Sequence, residues 1–236
     1  MDNKLYTDFA HEYAEKIQSN VYNALYERPS LLALLPCLKG KKVLDLGCGS
    51  GEYSGYFLEQ GADVTALDIS VEMLEIMRER FGDRLKCYEH DFSLGLPHEE
   101  DDSFDVVVSP LAIHYVEDLR RLFSEIGRVL KRGGQFVFST HHPMQDFSSS
   151  VSGNYFETEL LTQEWGVIGR PVQVSFYRRS LEQLIAPIVE TGLVVTGLSE
   201  GIPHKDIERI DPAVYERLST RPLFLFVRCA KIGTER

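Results

Sequence analysis

The chain has 236 residues, a length that suits one α/β domain with additions or, less well, two small domains, and its 43% hydrophobic and 26% charged residues are ordinary for a globular protein. Its formal net charge of -11 disfavours non-specific binding to nucleic acid or to an anionic membrane surface, because both need a positive field. The charged N-terminal segment lacks the apolar core of a signal peptide, and no apolar run is long enough to span a bilayer. The four cysteines form no C-x-x-C pair, which indicates buried free thiols in a reducing cytoplasm.

Two helical patterns come first in the chain. Apolar residues recur every four positions over residues 3–19, which predicts an amphipathic helix. A second helical pattern runs from about Val21 to Leu35, in which Pro29 either breaks the helix or starts a new turn. Because both patterns precede the first strand, residues 1–39 are interpreted as a helical cap over the open edge of a sheet.

Strands and helices then alternate. The predicted strands are Lys42–Leu46, Asp63–Leu67, Leu85–Glu89, Phe104–Ser109 and Gln135–Ser139, separated by helices at about Gly51–Gln60, Val71–Arg80 and Glu117–Leu130. Near-continuous apolar strands that alternate with helices are typical of a parallel sheet covered on both faces. A helix at Leu181–Glu190 and strands at Leu193–Leu198 and Leu223–Cys229 complete the sheet.

The alternation stops over residues 144–178, which are rich in Ser, Gly and aromatic residues. The run VQVSFY within this segment alternates like a strand. We interpret the segment as a lid-like insertion that folds over the site and excludes water. Arg170, Arg178 and Arg179 are candidates to pair with a substrate carboxylate, and solvated surface charges are the alternative.

The stretch that carries the chemistry is KKVLDLGCGSG, in which an apolar run with one acid, Asp45, opens into three alternating glycines. Such a run predicts a strand that feeds a nucleotide-binding turn. Asp68, at the end of the second strand, is placed to accept hydrogen bonds from ribose hydroxyls. The acid beside the loop would repel a pyrophosphate, so the pattern favours a ligand that bears an ammonium or a sulfonium.

Five segments occur in an order that resembles class I S-adenosylmethionine-dependent methyltransferases over about residues 40–143. They are VLDLGCGSG, VTALDIS, HDF, FDVVVSPLAIHYVED and RVLKRGGQFVFST. The N-terminal YTDFAHEY is similar to the YDxxAxxYD start of small-molecule members, although Thr7 and Ala14 replace two of its acids. The tail, with THHP, YRRSLEQL and DPAVYERLSTRP, resembles bacterial members.

The resemblance implies an α/β fold with a doubly wound, seven-stranded, mostly parallel sheet of Rossmann-like methyltransferase type, whose last strand is antiparallel. Residues 1–236 are then one domain. Within it, residues 40–143 form the cofactor-binding core, and residues 179–236 complete the sheet.

The resemblance also implies the cofactor S-adenosyl-L-methionine, with S-adenosyl-L-homocysteine as its product, and a set of residues that bind it. At the methionine end these are Gly47, Cys48, Gly49 and Gly51 as the lining, Asp45 at the amino group, and Tyr13 with Arg28 at the carboxylate. At the nucleoside end they are Asp68 at the ribose, Ile69 on the adenine, Asp91 at the adenine amine, Phe92 beside it, and Met73. Near the sulfonium they are Ser109 and Pro110.

Three histidines are candidate catalytic bases. His114 follows the fourth strand, and His141 and His142 follow the fifth, at the edge where ligands bind in open α/β sheets. A base is needed only if the acceptor is a hydroxyl or another protonated group, and the alternative is histidines that orient loops. No acid or cysteine has ligand spacing with them, so no metal is predicted.

These features predict a cytoplasmic methyltransferase that moves a methyl group from S-adenosylmethionine to an O, N or C nucleophile of a small organic acceptor. We expect no nucleic-acid or membrane partner and a monomer or homodimer. One alternative is a methyltransferase that acts on tRNA or protein, although SPLAIHY differs from the NPPY-type run of amino-methylating nucleic-acid enzymes. Others are a non-catalytic regulatory protein that binds the cofactor and, less well matched, a nicotinamide-dependent oxidoreductase.

Overall fold

A seven-stranded sheet forms the centre of the fold in a computed structural model that describes residues 3–233. Residues 1–2 and 234–236, which the predicted domain includes, lie outside the described residues. The strands of this sheet and of a separate hairpin are β1 Lys42–Leu46, β2 Asp63–Asp68, β3 Lys86–Glu89, β4 Phe104–Ser109, β5 Leu130–His141, β6 Glu159–Trp165, β7 Val172–Arg178, β8 Leu193–Ser199 and β9 Phe224–Lys231.

The strand order in the main sheet is β3-β2-β1-β4-β5-β9-β8. β1 pairs in parallel with both β2 and β4, whereas β9 runs antiparallel to its neighbours β5 and β8. The predicted doubly wound, mostly parallel sheet with an antiparallel last strand is therefore confirmed. Because the order reverses between β1 and β4, a crevice opens at the carboxyl ends of these two strands.

The helices are α1 Ala10–Ser19, α2 Arg28–Leu32, α3 Glu52–Glu59, α4 Val71–Phe81, α5 Leu119–Val129, α6 Pro143–Phe147, α7 Leu181–Glu190, α8 Asp206–Ile210 and α9 Pro212–Thr220. They cover both faces of the main sheet with two apolar clusters. Phe123 and Phe136 belong to one cluster, and Phe57 and Val137 belong to the other. Among residues 3–233, no helix has the length and apolar character needed to cross a membrane.

The first predicted helix is wrong in its first half, because residues 4–9 form turns and α1 begins only at Ala10. The side chain of Asn3 exchanges two hydrogen bonds with the backbone of Ser175 in β7, at 3.1 and 2.9 Å. Leu5 is fully buried in an apolar cluster that also contains Val174 of β7. Residues 3–9 therefore pack against the hairpin of β6 and β7 instead of extending α1.

The second helical pattern contains a π-helical turn, Asn23–Glu27, which leads directly into α2. Pro29 lies in the first turn of α2, which agrees with the expectation that it starts a new turn and not with a break between two helices. The turn places Glu27 on the buried side of the cap, where only 2% of the residue is exposed.

The insertion contains α6 and the antiparallel hairpin of β6 and β7. β7 includes the predicted strand VQVSFY, which is confirmed. The guanidinium of Arg178, fully buried, forms an ion pair with Glu159 and donates to the backbone carbonyls of Asn154 and Glu157 at 2.9 and 2.8 Å. This buried arginine fixes the hairpin to the segment before it.

The expectation of four buried thiols is wrong for Cys37, which is exposed, and Cys87 is only partly buried. Cys48 and Cys229 are buried and free.

Gly51 and Gly133 have similar backbone angles, φ +86° and +75°, but different surroundings. A Cβ at Gly51 would lie 2.7 Å from the Phe81 ring and 2.9 Å from Met77, whereas nothing lies within 4 Å of one at Gly133. We expect Gly51→Ala to lower the free energy of unfolding by about 2–4 kcal/mol, because backbone strain and overpacking add. Gly133→Ala should cost only about 1 kcal/mol of strain. Urea unfolding measures both, and equal losses would contradict the packing argument.

Candidate active site

A cavity of about 510 Å³ opens where β1, β2, β4 and β5 end. Residues that follow these strands line it together with residues of the N-terminal cap and of the hairpin. Such a volume is within the range of small-molecule sites in proteins. The sheet, the cap and the insertion therefore meet at one concave site.

Two glycines of the loop after β1 have different effects on the cavity. Gly47 has φ +73°, and a Cβ there would lie 2.5 Å from the Cβ of Ala112, so glycine lets the loop after β4 pack against this loop. Gly49 has φ +52°, and nothing lies within 4 Å of the position of its Cβ. The first glycine therefore permits close packing, and the second leaves open space in the cavity wall.

Asp68 ends β2 with a carboxylate that is 9% exposed and lines the cavity. Its Oδ2 accepts the backbone N–H of Gly49 at 2.8 Å, and its Oδ1 accepts that of Ser70 at 2.9 Å. Burial raises the pKa of this carboxyl. Each oxygen can accept a further hydrogen bond, so the carboxylate can hold two neighbouring hydroxyls.

Most of the predicted site residues share this one cavity. It is lined by Tyr13, Arg28, Gly47, Cys48, Gly49, Asp68, Ile69, Met73, Asp91, Phe92, Pro110, His114 and His141. Ile69 is 48% exposed and offers an apolar surface beside Asp68. Asp91 also accepts the backbone N–H of Ser93 at 2.9 Å, so it caps a turn as well as facing the cavity.

Asp45 and Gly51 are predicted site residues that do not line the cavity. The side chain of Asp45 is fully buried, and its Oδ2 accepts the hydroxyl of Ser54 at 2.6 Å. Its Oδ1 has no hydrogen-bond partner among the described residues, and burial raises the pKa of this carboxyl to about 7. Gly51 packs α3 against Phe81 and Met77 of α4.

Ser109 and His142 also lie outside the lining. The hydroxyl of Ser109 donates to the carbonyl of Leu46 at 3.1 Å inside the sheet. The Nδ1 of His142 accepts the backbone N–H of Met144 at the start of α6, and its Nε2 lies 3.0 Å from Glu200. The second of the two adjacent histidines is therefore occupied by helix capping and a surface acid.

The other two histidines meet inside the cavity. The rings of His114 and His141 stack with their centroids 4.0 Å apart. Neither ring nitrogen of His114 has a partner among the described residues, and burial holds its pKa well below the usual range. The Nδ1 of His141 lies 3.4 Å from Oδ1 of Asp146, which also lines the cavity. A neutral imidazole therefore lies against a second imidazole whose Nδ1 has a carboxylate nearby but no hydrogen bond among the described residues.

None of the three arginines predicted near the lid lines this cavity, and each has a partner within the protein. Arg170 forms an ion pair with Glu12 at 2.7 Å, Arg178 is buried in the hairpin, and Arg179 donates to the backbone carbonyls of Val116 and Glu117. Burial lowers the pKa of Arg179 to about 10. Arg28 and Arg217 line the cavity instead.

Glu27, Asp146, Tyr115, Trp165 and Arg217 line the cavity but were not among the predicted site residues. Glu27 accepts the hydroxyls of Tyr53 at 2.7 Å and Ser139 at 2.6 Å, and burial raises its pKa to about 7. HHPMQD did contain a signal for Asp146, because proline after a capping residue starts a helix whose first turn folds back towards His141. Within residues 3–233, no three His, Cys, Asp or Glu side chains converge as a metal ion would require.

Comparison with known proteins identifies a sequence family over the core. The family described as "Methyltransferase domain" matches residues 44–138. An uncharacterised protein of Haemophilus influenzae is 31% identical, over 98% of this chain and 99% of its own length. A malonyl-[acyl-carrier protein] O-methyltransferase of Pseudescherichia vulneris is 30% identical, over 81% of this chain and 84% of its own length. The crystal structure of an S-adenosylmethionine-dependent methyltransferase from Mesorhizobium loti is 29% identical with a TM-score of 0.74, over 91% of this chain and 99% of that one.

The buried carboxyls of Glu27 and Asp45 should make stability depend on pH. Each pKa is raised to about 7, so above pH 5 the folded protein keeps protons that the unfolded chain releases near pH 4. Their contribution is complete below pH 4 and is lost as the pH rises through 7, at a cost on the order of 3 kcal/mol for each carboxyl.

We therefore expect the unfolding free energy of Glu27→Gln to fall less between pH 5 and pH 8 than that of the wild type. Burial of His114 acts in the opposite sense, but it acts equally in both proteins. Urea unfolding at four pH values in this range measures the difference. Parallel curves for the two proteins would show that Glu27 does not titrate in this window.

Proposed function

The chain belongs to the S-adenosylmethionine-dependent methyltransferases, and we propose that it methylates a small organic acceptor bound inside the cavity. The observation that carries this proposal is that one cavity joins the glycine loop and Asp68 to the pair of His141 and Asp146. The residues that would bind a cofactor with ribose hydroxyls and the residues that would transfer a proton thus line the same cavity.

The residues of the chain fit the cofactor at several points. Gly49 leaves open space beside the loop, and Asp68 has lone pairs for two hydroxyls. The Nε of Arg28 is a buried donor with no partner among the described residues, as a carboxylate ligand would require. When bound, S-adenosylmethionine supplies a methyl group activated by a sulfonium. In this proposal Asp68 holds the ribose, Asp91 the adenine amine, and Arg28 the carboxylate.

The acceptor would then lie between the hairpin and the stacked histidines. Trp165, Tyr115 and Phe224 line this part of the cavity and exclude water, which favours alignment of the nucleophile over solvation. His141 takes the proton of a hydroxyl nucleophile, and the carboxylate of Asp146, 3.4 Å from its Nδ1, stabilises the imidazolium that forms. Because burial lowers the pKa of His114, this ring stays neutral, and only His141 of the stacked pair takes up a proton.

A second candidate acceptor is a carboxylate, as in the malonyl-[acyl-carrier protein] named for the Pseudescherichia vulneris relative. Arg217, the arginine of the cavity wall that the cofactor would not use, favours an anionic group. An ionised carboxylate needs no base, so the two candidates predict different effects of changing His141.

We propose further that residues 1–236 act as one domain, with residues 144–178 as the lid, in the cytoplasm and without nucleic acid or membrane. The chain would be a monomer or a homodimer. The acidic net charge of -11 supports the absence of nucleic-acid and membrane partners, because it opposes binding to polyanions.

Asp68→Ala should weaken the binding of S-adenosylhomocysteine about 100-fold or more, because two hydrogen bonds to a charged acceptor are lost. Isothermal titration calorimetry measures the dissociation constant directly. Thermal unfolding of the variant without ligand serves as the control for folding. The same affinity in both proteins, or no binding by the wild type, would rule out the cofactor site described here.

His141→Asn and His142→Asn make the same chemical change at adjacent positions. For a hydroxyl acceptor found by screening metabolites for release of S-adenosylhomocysteine, we expect His141→Asn to lower kcat by about 100-fold or more. His142→Asn keeps a side chain that can cap α6, so its kcat should stay within about twofold. If His141→Asn retains full activity and a malonyl thioester is the acceptor, the carboxylate candidate replaces the hydroxyl one.

A further inference from the structure

Glu27 is a buried acid that faces the cavity. It is the last residue of the π-helical turn Asn23–Glu27, a type of turn that occurs often at functional sites. Its two carboxylate oxygens accept one hydroxyl each, from Tyr53 and from Ser139. Tyr53 lies in the first turn of α3, directly after the glycine loop. Its hydrogen bond therefore links Glu27 to the helix that follows the proposed cofactor loop.

No cation among residues 3–233 forms a salt bridge with Glu27, although burial, which raises its pKa, is partly opposed by the charge of the neighbouring Arg28. The next residue, Arg28, has its Nη2 3.8 Å from Glu52 and 3.2 Å from the carbonyl of Ile17. A carboxylate this deeply buried is rarely left without a positive partner, because burial penalises its charge. Since Glu27 lines the cavity, a ligand can bring the missing positive group.

Arg28 has the complementary deficit. Its Nε is buried and has no hydrogen-bond partner among the described residues, and the side chain lines the same cavity. Consecutive residues therefore offer an acid without a salt bridge and an unused donor of a positive group. An α-amino acid zwitterion presents an ammonium and a carboxylate on the same carbon.

Asp45, the acid that the glycine motif suggests for the amino group, has the wrong exposure for this contact. It is fully buried and does not line the cavity, and its nearest donor is the hydroxyl of Ser54. The motif acid is therefore enclosed by the protein, whereas the acid of the N-terminal cap borders open space.

We propose that Glu27 binds the α-ammonium group of S-adenosylmethionine, beside the carboxylate held by Arg28. This inference rests on the proposed orientation of the cofactor, with its methionine end along the glycine loop. The bound ammonium would contact Glu27, whose carboxylate also accepts the hydroxyls of Tyr53 in α3 and Ser139 in β5. The cap, α3 and β5 would then be linked through this one ion pair. An ammonium on the acceptor is the other source of the same chemistry.

Calorimetry with two ligands tests the proposal. One is S-adenosylhomocysteine, and the other is its analogue that lacks only the α-amino group. We expect Glu27→Gln to weaken the first by about 10- to 100-fold, because a charge-assisted hydrogen bond is lost, and the second by less than about twofold. Asp45→Asn is the matched control and should leave the ratio of the two affinities at its wild-type value.

Several outcomes would overturn the assignment. Equal weakening of both ligands by Glu27→Gln would make Glu27 structural, and a changed ratio in Asp45→Asn would return the amino group to the motif acid. Unchanged binding of both ligands, with a raised KM for an amine acceptor, would place Glu27 at the acceptor. If the wild type bound neither ligand, the proposed function itself would fail.

A measurement on the wild type keeps the proposal testable if Glu27→Gln does not fold. With the side-chain carboxyls of glutamate labelled with 13C, S-adenosylhomocysteine should move the Glu27 resonance at pH 6 to its ionised position, because an ammonium stabilises the charged form. The analogue without the amino group should not. The same shift with both ligands would contradict ammonium binding.

Discussion

Close packing between Gly47 and Ala112 is the constraint on which the site depends. A side chain at position 47 would collide with Ala112, so the absence of a Cβ lets the loop after β4 approach the loop after β1. Two residues after Ala112, His114 stacks on His141 at the end of β5. The glycine loop and the stacked histidines are thereby fixed relative to each other.

The N-terminal cap is tied to this centre by a hydrogen-bonded chain. Leu111 has an unusual φ of +46°, and its N–H donates to both the carbonyl and the hydroxyl of Ser139, at 3.1 and 3.0 Å. The same hydroxyl donates to Glu27 at 2.6 Å. A strained residue beside Ala112 is therefore stabilised by a contact that reaches the cap.

The sequence predicts the sheet well, because most strands are short apolar runs, and the first three end in or directly before an acid or a glycine. The bounds of β1 and β4 agree with prediction, and Asp68 and Asp91 lie at strand ends as expected. The start of α1 could not be predicted, since Asn3 bonds to a strand 172 residues away. The start of α9 could have been predicted, because Asp211 followed by Pro212 is a helix-initiation pattern.

The acids of the site show where sequence patterns stop being informative. Asp45 precedes the glycines as a cofactor acid would, yet burial against Ser54 removes it from the cavity. Glu27 lies in a helical segment with no motif around it, and only the folding of the cap onto β5 brings it to Ser139, 112 residues later. The spacing of motifs along the chain predicts the order of the strand ends, but it does not predict which side chains the folded protein buries.

The most direct test of the whole account is a crystal structure of the protein with S-adenosylhomocysteine. The account predicts the ribose hydroxyls on Asp68, the amino acid end between Gly49 and the pair of Glu27 and Arg28, and the sulfur facing the stacked histidines. A ligand bound in the reverse direction, or outside this cavity, would contradict it.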